Sequence, residues 1–191
     1  MTTATPTGRL MLKNVRLAFP NLFEPTTVAG EGKPRYSAML ILPPDHPQIA
    51  DIKAKMQAVA KEKWAAKAAE VYKALDKGDK LALHDGDTKA QYDGVGGNLF
   101  ISAAAQESAR PTVIGSDKTP LTQRDGKPYA GCYVNASIDL WAQDNGFGRR
   151  INAQLRGVQF YRDGEGFAAG RPADSDEFEE VSEGADADDF A

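Results

Sequence analysis

The chain has 191 residues, with 23 basic and 27 acidic side chains, a formal net charge of −4 and one cysteine. This length allows one domain with a core of ordinary size. The longest uncharged apolar stretch, residues 38–44, is far shorter than the ~20 residues that a membrane-spanning helix needs. We expect no secretory signal, no disulfide, no structural zinc and no cofactor, and we expect a cytoplasmic protein.

The charge is distributed unevenly along the chain. Residues 172–191 contain nine acids and no base, whereas residues 1–171 contain 18 acids and all 23 bases, a net charge of +5. A basic body with an acidic end indicates a polyanionic partner, with the acidic end as its competitor or as a binding site for a third molecule. A role in solubility alone is the simpler alternative.

Strand patterns precede one long helical pattern in the first half of the chain. Residues 1–8 are expected to be a disordered lead, residues 9–19 a strand, residues 21–34 a loop rich in Pro and Gly, and residues 35–42 a second strand. Apolar residues then recur close to helical spacing and predict a helix over residues 45–76. Asp45 and Pro47 suit its first turn.

Beyond the helix the apolar pattern has a period of two. Short strands are predicted at residues 80–84, 98–103 and 111–114. Residues 131–143 give the clearest strand, because all six even positions are apolar and the odd positions are Tyr133, Asn135, Ser137, Asp139, Trp141 and Gln143. A turn and a partner strand over residues 149–162 follow, with a bulge predicted at Gly157.

These patterns predict a mainly β domain over residues 9–171 with one long inserted helix. Residues 172–191 are predicted to be a disordered acidic tail, because their composition cannot bury a core.

Two large aromatic side chains, Tyr133 and Trp141, are predicted on the polar face of the 131–143 strand. An aromatic ring on a solvent face can stack on an unpaired base, at ~1–3 kcal/mol per base, whatever the base. The alternative is that each ring packs beneath a loop or beneath the inserted helix.

Arginines predicted near these rings are candidates for phosphate contacts. Arg149, Arg150 and Arg156 belong to the hairpin, and Arg16 and Arg35 to the first two strands. Contact with a phosphate backbone needs distributed positive charge with aromatic rings between the cations. Surface arginines also serve solubility, so both interpretations stay open at this point.

The sequence patterns that would indicate catalysis are weaker than those that indicate DNA binding. Residues 84–87 offer one histidine with Asp85 and Asp87, which is compatible with a nuclease metal site and equally with a turn. Cys132 falls on the apolar face of its strand and is expected in the core. We predict no enzyme and no metal site. The alternatives are a metal-dependent DNA enzyme using Asp85 and Asp87, and an interaction module that acts through the acidic tail.

Four stretches with a long helix after the second are similar to one known family. They are residues 17–25 (LAFPNLFEP), 36–43 (YSAMLILP), 129–136 (YAGCYVNA) and 155–164 (LRGVQFYRDG). In this order they resemble the single-stranded DNA-binding proteins of tailed phages. The resemblance covers roughly residues 9–170 and implies an OB-fold barrel whose groove holds nucleic acid, with a role in phage DNA replication or recombination in the host cytoplasm.

The acidic tail is similar to the C-termini of single-stranded DNA-binding proteins, which often finish with acids and a terminal Phe. Its partner-binding candidates are Asp186, Asp188, Asp189 and Phe190, although here Ala191 follows the Phe. We therefore expect single-stranded DNA as the main partner and replication or recombination proteins as partners of the tail. The tail is expected to compete with DNA for the basic groove.

Overall fold

A computed structural model of the chain describes residues 4–28 and 30–167. The strands are β1 (Arg9–Val28), β2 (Glu31–Leu42), β3 (Leu83–Asp85), β4 (Leu99–Gln106), β5 (Thr112–Ile114), β6 (Tyr133–Asn145) and β7 (Gly148–Arg162). The helices are α1 (Ile49–Trp64) and α2 (Ala68–Lys77). No helix in the described ranges has the length and apolar character to cross a membrane.

The strands form one sheet in the order β3-β4-β2-β1-β6-β7-β5. β4 also pairs with β7, so the five strands β4, β2, β1, β6 and β7 close on themselves into a barrel. The closing pair is parallel, with Ala103 opposite Ala153 and Ala104 opposite Gln154, whereas the other pairs of the barrel are antiparallel. The prediction of a mainly β domain with one inserted helical segment is confirmed.

The barrel interior is filled by the apolar positions of its strands. Val134, Ala136 and Ile138 of β6 are fully buried, together with residues such as Leu12 and Leu40 from β1 and β2. Burial of these side chains is the main favourable term for the closed barrel. The alternation read from residues 131–143 therefore assigns the two faces of this strand correctly.

Cys132 lies in the core, as expected. Its burial raises the pKa of the thiol to about 11, so the group is an unreactive thiol at neutral pH.

The expectation of a loop over residues 21–34 is wrong. β1 continues to Val28 and pairs with β2 from Glu31 onward, so that most of this range is a two-stranded arm. The register shifts after Ala18 and again after Asn21, and these intervals contain Pro20 and Pro25. The prolines therefore interrupt the hydrogen-bond ladder without ending the strand, as is typical at bulges.

The helical segment is confirmed, but it begins at Ile49 rather than at Asp45. Gln48 is the N-cap residue, and Asp45 and Pro47 precede the helix. A short 3-10 turn, Ala65–Lys67, separates α1 from α2, and Ala65 has a φ of +47°. Periodicity alone missed this break because apolar spacing continues through it.

The bulge predicted at Gly157 is confirmed. Ser137 pairs with Gly157 and Ile138 with Leu155, which leaves Arg156 as the extra residue of β7. A Cβ at Gly157 would lie 3.2 Å from the carbonyl oxygen of Thr112, so a glycine lets β5 approach β7 closely here.

Candidate nucleic-acid interface

The two aromatic side chains predicted for one site lie at opposite ends of β6. Tyr133 and Trp141 are eight residues apart, which corresponds to ~27 Å along an extended strand. Each lines a separate concave surface. Trp141 lines the surface near the β6–β7 turn, which we call the hairpin groove. Tyr133 lines the surface near the start of β6, which we call the cationic cleft.

The hairpin groove has a volume of about 800 Å³ and lies between the β6–β7 hairpin and the outer faces of β2 and β4. It forms because the hairpin extends past the point where β7 pairs with β4. Its lining includes Arg35, Ser102, Ala104, Gln106, Trp141, Gln143, Phe147, Arg150, Asn152 and Gln154.

Two aromatic rings are exposed in this groove. Trp141 is 45% exposed and Phe147, in the hairpin turn, is 94% exposed. Neither ring is therefore buried in the core, although Trp141 also borders Val59, Glu62 and Lys63 of α1. Phe147 is not among the residues predicted from the sequence, although it is a large apolar residue next to a turn signal.

Amide side chains of the groove are held by one another. Asn152 donates to Gln143 at 2.9 Å, and Gln143 donates to Asn145 at 3.2 Å. This chain of hydrogen bonds fixes amide groups beside the exposed rings, where they can offer donors and acceptors to the edges of a base.

The five predicted arginines divide by whether a carboxylate holds them. Arg35 and Arg150 line the hairpin groove, and neither forms an ion pair with a described residue. Arg149 points away from the groove and pairs with Asp144 at 3.3 Å. The Asp144 carboxylate also accepts a hydrogen bond from Trp64, which lowers its pKa.

Arg156 lies outside both concave surfaces, because a carboxylate holds it on the outer face of β6. It donates to Asp139 at 3.0 Å, and Arg9 donates to the same carboxylate at 2.8 and 3.0 Å. The hydrogen bond from Arg9 is the main cause that lowers the pKa of Asp139, opposed by partial burial.

The cationic cleft has a volume of about 640 Å³ and lies between the first half of β1, the ends of β2 and β7, and the residues before α1. Lys13, Arg16 and Arg162 supply its positive charge. The Arg162 guanidinium lies 3.6 Å from the centroid of the Tyr133 ring, and that of Arg16 lies 5.7 Å from it. Tyr133 thus supports two cations, and one face of its ring is not open to a base.

Asp85 ends β3 and Asp87 lies in the short 3-10 helix that follows, and both carboxylates bind backbone groups. Asp85 accepts a hydrogen bond from the Asp87 amide at 2.9 Å, and Asp87 accepts one from the Gly97 amide at 2.7 Å. Within residues 4–28 and 30–167, no group of three or more His, Cys, Asp or Glu side chains is placed to hold a metal ion. The tail candidates Asp186, Asp188, Asp189 and Phe190 lie outside the described residues.

A closed β-barrel with exposed rings in one groove, beside arginines that no described carboxylate holds, defines a class, the small barrels that bind nucleic acid. Comparison with known proteins gives the family. The chain belongs to the family described as "Enterobacter phage Enc34, ssDNA-binding protein", which matches residues 8–191.

Three relatives illustrate the similarity. The chain is 45% identical over 177 residues to "Putative protein p50" of Acyrthosiphon pisum secondary endosymbiont phage 1, covering 91% of this chain and 94% of that protein. The structure of the single-stranded DNA-binding protein from bacteriophage Enc34 in complex with ssDNA has a TM-score of 0.64 and 30% identity, over 85% of this chain and 90% of that one.

The third relative is gp2.5, a single-stranded DNA-binding protein encoded by bacteriophage T7. Its crystal structure has a TM-score of 0.55 and 16% identity, over 91% of this chain and 98% of that one. At this identity the likeness supports the fold alone.

Proposed function

We propose that the chain is a sequence-independent single-stranded DNA-binding protein of phage DNA replication and recombination, built on an OB-fold. The OB-fold is a five-stranded barrel that binds nucleic acid on its second and third strands, flanked by the loops that join strands 1–2 and 4–5. In this barrel β2 and β4 are the second and third strands, and the β6–β7 turn joins the fourth and fifth. The position of the hairpin groove at this junction is the observation that carries the proposal.

In the proposed binding mode, bases stack on Trp141 and Phe147, and Arg35 and Arg150 contact phosphates. Stacking on a ring does not depend on the base, and a free arginine contacts any phosphate, so this mode is tolerant of sequence. Arg149 and Arg156 are held by carboxylates and are not assigned a phosphate in this mode.

We propose that the protein acts by binding, without catalysis. The Asp85 and Asp87 carboxylates already accept backbone hydrogen bonds, which supports a role in closing their turn. Magnesium-dependent DNA cleavage that disappears in Asp87→Asn would favour the enzyme instead.

In the same proposal the acidic tail has two roles in the host cytoplasm. With nine acids and no base, it competes with DNA for the basic body. Once DNA displaces the tail, Asp186, Asp188, Asp189 and Phe190 contact replication or recombination proteins.

A fluorescence titration of the intact protein with oligo-dT and with duplex DNA tests the proposal. Trp141, one of two tryptophans, lies in the groove, so the part of the emission change that Trp141→Ala removes reports occupancy of the groove. We expect tighter binding of oligo-dT, because bases in a duplex are already stacked and cannot reach the rings. Equal affinity for the two forms would contradict the proposal. A lack of any affinity, also without the tail, would favour an interaction module.

A further inference from the structure

The cationic cleft collects three positive side chains that lack a carboxylate partner. Lys13, Arg16 and Arg162 make no ion pair with any residue in the described ranges. Asp45 is the one acidic residue of the described chain that lines the cleft, so the lining carries a net charge of about +2 from four charged groups. Keeping like charges this close is unfavourable unless an anion joins them.

Two of the three cations are fixed in place by neutral groups. Arg16 donates to the carbonyl oxygens of Gly131 at 3.1 Å and of Glu165 at 2.7 Å. Arg162 rests on the Tyr133 ring and donates to the Asn14 side chain at 3.3 Å. These contacts orient the guanidinium groups without neutralising them, which is the arrangement that suits recognition of a phosphate.

Among the described residues, the outer face of β6 between the cleft and the hairpin groove presents no carboxylate without a cationic partner. The outer face of β6 presents Asn135, Ser137 and Asp139 between Tyr133 and Trp141. Asp139 is held by Arg9 and Arg156, so this group of three carries a net positive charge. A strand of DNA can therefore follow β6 from one concave surface to the other.

We propose that the cationic cleft is a second phosphodiester-binding site, which holds the DNA strand ~27 Å from the hairpin groove. This inference rests on the proposed function. With a second site, the protein binds more nucleotides than the hairpin groove alone can hold. The total stays within the range of about 4–16 nucleotides known for OB-folds.

The test compares a short and a long ligand in the full-length protein. A short oligo-dT of about four nucleotides is too short to bridge the ~27 Å between the two surfaces, whereas one of about 30 nucleotides reaches both sites. The Lys13→Ala/Arg162→Ala double variant should lower the salt slope of the long ligand by about 1.4, at about 0.7 per lost phosphate contact. Its binding of the short ligand should be unchanged.

The matched control is Lys73→Ala/Lys77→Ala, which removes the same charge from α2, away from both surfaces. An equal slope change in the control and the cleft variant would overturn the second site. Should the double variant lose its fold, Lys13→Ala alone, an exposed side chain, should lower the slope by about 0.7. An unchanged slope would overturn the proposal.

Two further outcomes separate this inference from its alternatives. If the intact protein does not bind the short ligand, the proposed groove fails, whatever the cleft does. If the effect of the cleft variant vanishes once Asp186, Asp188 and Asp189 are changed to Asn, the cleft binds the acidic tail instead of DNA, and the second site is overturned.

Discussion

Trp141 and Phe147 are large apolar residues that gain little from the core. Phe147 is 94% exposed, so replacing it should cost little folding stability, whereas Trp141 is 45% exposed and its replacement also removes packing beside α1. Trp141→Ala and Phe147→Ala should each weaken oligo-dT binding by about 5–150-fold, which corresponds to ~1–3 kcal/mol of stacking per base. Fluorescence anisotropy with labelled oligo-dT measures the loss, and thermal melting checks the fold.

Tyr161 offers the matched control, because its ring is also half exposed but lines neither concave surface. Tyr161→Ala should leave the affinity within about twofold, since it removes no ring from the groove. Equal losses of oligo-dT affinity in the three variants would mean that bases do not stack specifically on the two rings of the hairpin groove.

The break between α1 and α2 allows a prediction about the stability of the helical segment. Ala65 has a φ of +47°, which an L-residue with a Cβ adopts only with strain. Ala65→Gly should raise the free energy of unfolding by about 1 kcal/mol, measured by urea denaturation, and leave DNA binding unchanged.

Ala66 is the neighbouring control, in the same short turn but without a positive φ. Ala66→Gly should lower the free energy of unfolding by about 0.5–1 kcal/mol, because glycine only adds freedom to the unfolded chain there. If both glycines shift stability in the same direction, strain at Ala65 is not the cause.

The elements that depend on residues close together in the sequence could be predicted from it. The alternation of residues 131–143 gave β6 and its buried face, and Gly157 marked the bulge. The arm of β1 and β2 was missed because Pro20 and Pro25 indicate a loop, unless the pairing of the two strands is known. Tyr133 and Trp141 share a face, but no local pattern indicates that Arg162 covers one of the two rings.

For the molecule as a whole, the uneven distribution of charge along the chain has the largest expected effect on DNA affinity. If the body neutralises about four phosphates, the single-strand slope of ~0.7 per phosphate predicts a ~50-fold loss of affinity between 50 and 200 mM salt.

Removing residues 172–191 should tighten DNA binding, because it takes away a tethered competitor with nine acids. Titrations at several salt concentrations measure both effects.

A version with the tail acids changed to Asn and Gln separates charge from length. It should bind DNA as tightly as the truncated protein, because competition comes from the charge. Unchanged or weaker binding after truncation would rule out competition by the tail, and a flat salt response would argue against phosphate contacts.

The parallel pair that closes the barrel sets a condition on when the protein can fold. Ala103 of β4 meets Ala153 of β7, fifty residues further along the chain, near the end of the described domain. Closing so long a loop is slow, and the ring of strands cannot form before β7 is available. During synthesis the barrel therefore closes only after nearly the whole body has left the ribosome. Fragments that end before β7 should expose the apolar face that the closed barrel buries.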